Sequence, residues 1–114
     1  MAHPHDLILF LRARYDEEVA LAEAASPGPW HPNDEADEVL AADDITVADG
    51  FALSGQQLRA TTQHIALHDP ARVLAETAAK RAVLDAWDDI DYEMPWSVYD
   101  ALAAVYAGHP DYPR

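Results

Sequence analysis

Apolar residues recur every three or four positions along three long stretches of the chain, and cluster into two short β-branched runs between the first and second of these. Leu7, Leu11, Tyr15, Val19 and Ala22 keep helical spacing, so residues 6–25 are predicted to form an amphipathic helix whose apolar face Ile8 and Phe10 widen. Arg12, Asp16, Glu17 and Glu23 fall on its watery side, and Asp6 suits the positive end of the helix dipole. Ser26-Pro27-Gly28-Pro29 stops this helix. Trp30 follows the stop directly and is expected to anchor the next segment on the helical layer. Residues 38–42 and 45–48, split by Asp43-Asp44 and closed by Asp49-Gly50, read as a small antiparallel hairpin that needs a helix over one face.

Ser54-Gly55-Gln56-Gln57 matches a capping box, which predicts a second helix to about residue 68 with Leu58, Thr62 and Ile65 inward and Leu67 on the flank. Asp69-Pro70 then forces a corner. The residue before a proline is pushed out of the α region, proline suits the first helical position, and the Asp69 carboxylate can accept from N–H groups of the new first turn. The third helix places Val73, Leu74, Thr77, Leu84 and Trp87 on one side, with Lys80 and Arg81 expected to snorkel or pair with acids. Asp85, Asp88, Asp89, Asp91 and Glu93 oppose the dipole at its end, so it should fray by residue 89. Ser97 with Asp100 resembles another cap. The last helix should run through Val98, Leu102, Val105 and Tyr106 to a left-handed Gly108, and residues 109–113 should form an extended tail. The fold class expected is α+β: one domain over residues 1–114, dominated by four helices, with a short antiparallel β-hairpin between helices 1 and 2.

Composition narrows the chemistry. With 114 residues and half of them hydrophobic, many being alanine, close helix packing around a modest core is expected. The absence of cysteine excludes disulfides, thiolate nucleophiles and cysteine metal sites. No long apolar run and no basic, apolar leader is present, which points to the cytoplasm. Twenty-one acids against seven Lys and Arg give a net charge of -14, so direct binding to nucleic acid or to an anionic membrane is disfavoured. The acids gather in two clusters, Asp34, Glu35, Asp37, Glu38, Asp43, Asp44 and Asp49 in the hairpin arm, and Asp85, Asp88, Asp89, Asp91 and Glu93. Such a surface is a solvated exterior, an attractor for a basic or mixed-charge protein, or an imitation of DNA phosphates.

The corner at residues 64–74 holds the site-like residues. His64 and His68, four apart, share a helix face; with Asp69 or His109 they could hold a transition metal, but positions 65–67 lack the Glu of His-Glu-x-x-His. The plainer reading has His68 capping the helix end and His64 packed at a seam with the last helix. Asp69 and Arg72 could frame an anion site at a helix N-terminus, were the cap not itself an acid. Trp30 could stack a ligand, and His109, Asp111 and Tyr112 could line a pocket against His64. Ser54 and Ser97 lie in no nucleophile elbow. No complete catalytic set and no cofactor is expected; Trp96 and Tyr99 are candidates for a helix interface or for core, leaving the oligomeric state open.

Ser-Pro-Gly-Pro-Trp at 26–30, His-Ile-Ala-Leu-His-Asp-Pro-Ala-Arg-Val-Leu at 64–74, Ala-Lys-Arg at 79–81 with Leu84-Asp85, and Tyr-Ala-Gly-His-Pro-Asp-Tyr at 106–112 resemble, in the same order, a family of small uncharacterised actinobacterial proteins common in Streptomyces. More distantly, the Gly-Pro-Trp turn, short β segment and Pro-x-x-Val-Leu helix are similar to phage accessory proteins of the lambda Ea22 type. The 31–53 arm departs from the pattern. The resemblance implies a mobile-element setting and no activity. The expected function is a non-catalytic, acidic accessory module that binds a protein partner; the alternatives are a DNA mimic that inhibits a DNA-binding protein, and a metal-dependent enzyme or small-ligand binder using His64, His68, Asp69 and His109.

Overall fold

A computed structural model describes residues 4–50, 54–88 and 96–114. In chain order these form α1 (Pro4–Ala24), β1 (His31–Pro32), β2 (Glu38–Leu40), β3 (Thr46–Asp49), α2 (Gly55–Leu67), α3 (Pro70–Asp88) and α4 (Trp96–Ala104). The α+β class and the hairpin between the first two helices are as expected. The chain falls into two compact units, one comprising residues up to Glu18 together with Thr77–Arg114, the other Val19–Glu76.

In the first unit, the four-residue spacing of α1 buries Leu7, Leu11 and Tyr15 against Leu84, Tyr99 and Ala103. Phe10 lies one helical step aside and meets the rings of Tyr106, His109 and Tyr112 edge-on, at centroid distances of 5.9, 5.6 and 5.6 Å. Arg81 pairs with Asp16 as anticipated, whereas Lys80 Nζ sits 5.8 Å from the Tyr15 ring centre.

Local signals near the C-terminus are overruled. Ser97 lies inside α4 rather than capping it, α4 ends at Ala104 rather than Gly108, and no described glycine has a positive φ. Residues 106–112 are a succession of turns, closed by Tyr106 N to Ala103 O, His109 N to Tyr106 O and Tyr112 N to His109 O, and not an extended tail. Turns of this period bring residues three apart to one side, which is how Tyr106, His109 and Tyr112 all reach Phe10. Val105 points outward at 78% exposure, and Tyr99 takes the inner place.

In the second unit β1, β2 and β3 make one antiparallel sheet in that order, with Val39 opposite both Pro32 and Ala48 and an irregularity between Val39 and Leu40. The strand β1 is an addition to the predicted hairpin. At two residues, one of them a proline, it carries no alternation to read. Two turns shape the arm. Asn33 Oδ1 accepts from Asp37 N and Glu38 N while its amide donates to Asp37, leaving Ala36 in the left-handed region at φ 54°. Asp43 Oδ1 accepts from Ile45 N, with Asp44 at φ 64°. Helix α2 packs on β1 and β2 with Thr62 and Ala66 buried, and Gly50 donates its N–H to Asp37 O, where a side chain would run into Leu58. The capping box does not form: Ser54 stands at the N-cap in extended conformation, but its hydroxyl caps nothing.

The hydroxyl of Tyr15 is buried without a hydrogen-bond partner among the described residues, and burial, then the Glu18 carboxylate, pushes its pKa up. The Tyr106 hydroxyl donates to Glu18 Oε1 at 2.7 Å; burial first, then that bond, raises its pKa strongly. Because both shifts are upward, the stability they carry is complete below the unfolded tyrosine value and lost as pH rises through the folded ones. Unfolding measured from about pH 9 to about pH 12 should show stability falling, and Tyr106→Phe should flatten that fall; parallel curves would rule it out. At neutral pH, Tyr15→Phe deletes an unsatisfied buried group and should leave stability unchanged or raised by up to about 1 kcal/mol, whereas a clear loss in urea unfolding would mean the hydroxyl is bonded after all.

Candidate functional site

The corner between α2 and α3 is built as its residue types dictate. His68 N–H donates to Ile65 O, and the ring donates from Nδ1 to His64 O at 2.8 Å, so His68 closes the carbonyl end of α2 as predicted. Pro70 opens α3. Asp69 Oδ1 accepts from Arg72 N at 2.8 Å, the expected N-cap, while Oδ2 accepts from Trp30 N at 2.9 Å, a bond across 39 positions that sequence reasoning missed. A Cβ on Gly28 would lie 3.0 Å from Asp69 Oδ2 and 3.1 Å from Ala71 Cβ, so the Pro-Gly-Pro-Trp turn, with its cis Gly28-Pro29 bond, lies flat against the start of α3. Trp30 Nε1 donates to Ser26 O at 2.9 Å, which fixes the indole over its own turn.

Trp30, Pro32, Ala66 and Leu67, with Gln63 at the edge, line an open groove of about 440 Å³ bordered by Asp69 and Arg72. Leu67, expected on the flank of the inner face, stands 54% exposed at the rim. Arg72 Nε pairs with Glu76 at 2.8 Å. Three of the residues singled out in the sequence, Trp30, Asp69 and Arg72, are therefore brought together.

His64 is exposed and lies beside His68, ring centres 4.5 Å apart, rather than packed at a seam. Among the described residues no group of three or more His, Asp or Glu side chains is disposed to hold a metal ion. His109 belongs to the other compact unit, where its Nδ1 accepts from Arg14 Nη1 at 3.2 Å and from Asp111 N at 3.0 Å. Both partners are pure donors, so that nitrogen carries a lone pair already engaged. Arg14, only 6% exposed, also grips Glu17 through Nε and Nη2 at 3.0 and 2.9 Å and lies 4.8 Å over the Phe10 ring. His109, Asp111 and Tyr112 thus gather around α1 of their own unit, organised by Arg14, a residue absent from the sequence-based candidates. The signal for it was its place four positions after Phe10, on the same helix face.

The acids of the arm are outward. Asp34, Glu35, Asp43, Asp44 and Asp49 are exposed, and Asp37 and Glu38 half-buried. Asp37 and Asp43 serve their turns, and Asp44 faces His31 at 3.5 Å. No Lys or Arg occurs between Arg14 and Arg59, an interval that carries Asp16, Glu17, Glu18 and Glu23 besides the seven acids of the arm. In the second acidic cluster Asp85 pairs with Arg12 at 2.8 Å; Asp89, Asp91, Glu93 and the side chain of Asp88 lie outside the described residues.

Together these features define a small α+β protein whose polar candidate residues serve mainly to hold turns and helix ends. The chain belongs to a family of unknown function, DUF6221, whose model matches residues 4–114. No curated protein and no solved structure matches it. Among the described residues, no helix is long and apolar enough to cross a membrane.

If the double use of Asp69 is what joins the turn to α3, Asp69→Asn should cost about 1–3 kcal/mol, because an amide has one acceptor oxygen and turns its NH₂ on the other N–H donor. Asp69→Ala should cost more, having lost the cap as well. Chemical denaturation of the three proteins gives the ranking, and an Asn variant as stable as the parent would show that one of the two bonds carries no weight.

Proposed function

We propose that this protein is a non-catalytic accessory module that binds a basic or mixed-charge protein partner through the acidic face of its second unit. The observation that carries this reading is the arm at residues 31–50, where seven carboxylates stand without a Lys or Arg in the sequence from residue 15 to 58. Elsewhere the pattern differs: Arg12, Arg14, Lys80 and Arg81 stand among the acids of the first unit and pair with Asp85, Glu17 and Asp16 or lie over an aromatic ring. An uncompensated field of one sign raises the encounter rate with oppositely charged partners. Asp69, His68 and His109, which would have to act in an enzyme built on this corner, have polar atoms engaged in backbone contacts or with Arg14. The resemblance of the motifs to actinobacterial and phage accessory proteins agrees with an accessory role.

The reading is tested with a lysine-rich peptide as probe. The full chain should bind it at low salt, lose most of that affinity near about 0.5 M salt, and lose it likewise when Asp34, Glu35, Asp43 and Asp44 are replaced together by their amides. Affinity indifferent to both changes would sink the proposal.

A further inference from the structure

We infer that the groove between Trp30 and Leu67 takes one apolar side chain of a cationic peptide segment, and that Asp34 and Glu35 receive the Lys or Arg residues flanking it. This deepens the protein-binding reading and rests on it.

The floor of the groove asks for an apolar group. Both Asp69 oxygens are occupied by backbone N–H donors, the Trp30 indole N–H by Ser26 O, and Arg72 Nε by Glu76. What remains on offer at the floor is the indole surface, Pro32, Ala66 and the exposed Leu67, with the Gln63 amide and the outer nitrogens of Arg72 at the edge. A shape of about 440 Å³ open to solvent suits a leucine- or proline-sized anchor, not a whole domain face.

The charge beside the groove states which anchor-bearing partner fits. Pro32 at the groove leads through Asn33 directly into Asp34 and Glu35, at most about 7 and 10 Å further along the chain. The three bonds made by the Asn33 side chain hold that turn. Asp34 and Glu35 are exposed, and neither is engaged by a hydrogen bond or ion pair among the described residues. An extended segment advances about 3.3 Å per residue, so a cation two or three positions from the anchor reaches them. A second copy of this chain is a poor occupant, since each carries a net charge of -14.

Two synthetic peptides of equal length and charge decide the matter, one with a Leu-Pro pair between lysines, the other with Gly-Ser in its place. Calorimetry on the full chain at about 50 mM salt should find the first at least about tenfold tighter, and nitrogen-proton spectra should show it shifting the Trp30 indole and the Gln63 side-chain amide. Leu67→Ser, at an exposed position, should abolish the difference between the peptides while leaving the affinity of the second unchanged. Asp34→Asn with Glu35→Gln should weaken both. If the two peptides bind equally, or the shifts fall away from the groove, the groove assignment is overturned while the acidic reading stands. If neither binds at low salt, the protein-binding reading falls and takes this one with it. If the groove resonances move with the protein's own concentration, the occupant is a second copy and the inference is wrong.

Discussion

One carboxylate sets the geometry of the second unit. Asp69 caps α3 with one oxygen and holds the Trp30 backbone with the other, so a local helix signal and a long-range link share the same few atoms. The cap alone is an ordinary contribution of about 1 kcal/mol. The second bond matters more for shape. It fixes the Pro-Gly-Pro-Trp turn against the start of α3, and through it the point at which β1 begins, which brings Trp30 and Pro32 alongside the end of α2. Gly28 suits that place because a side chain there would press on that same carboxylate and on Ala71, not for any freedom of its backbone.

This arrangement explains what could be read in advance. The four-residue recurrence of Leu7, Leu11 and Tyr15, and the Asp-Pro punctuation at 69–70, are consistent with both local propensity and tertiary packing, and both were legible. Signals that were only local failed. Ser54 is in place for a capping box whose side-chain bond is not made, Ser97 is absorbed into α4, and Gly108 never turns left-handed, because rings at 106, 109 and 112 converge on Phe10 and dictate the turns. At the candidate site the residue types were legible but their partners were not. That Trp30, Asp69 and Arg72 meet depends on a bond across 39 positions, and no periodicity encodes it.

Burial of Arg14 shows a different way in which composition misleads. A cation counted toward surface charge is in fact 6% exposed, stacked on Phe10 and held by Glu17 and His109. Its hydrogen bonds satisfy a group that could not otherwise be buried, and they bind the tail turns to α1. The charge of Arg14 is thus spent inside the first unit, where Arg12 and Arg81 also pair with acids. Surface pairs of that kind add little stability. Their consequence is electrostatic: several bases of the first unit stand beside individual acids, whereas the arm of the second carries seven acids in a stretch without a Lys or Arg from residue 15 to 58.

On the proposed reading, charge and apolar surface do separate work in recognition. Long-range attraction from the arm raises the rate of encounter and is screened by salt within about 8–10 Å, so by itself it would favour any basic segment. A short apolar anchor acts only at contact, is far less sensitive to salt, and governs how long the complex lasts. On that reading, an exposed Leu67 and an indole surface, with unengaged acids two and three chain positions beyond Pro32, would convert a general attraction into a preference for one spacing of anchor and cation. The turn at Asn33 would set that spacing, since its side-chain bonds to Asp37 and Glu38 close the loop that carries Asp34 and Glu35. The element that makes the surface selective is then a turn of five residues, and the acidic residues within it divide between those that build it, such as Asp37, and those it presents.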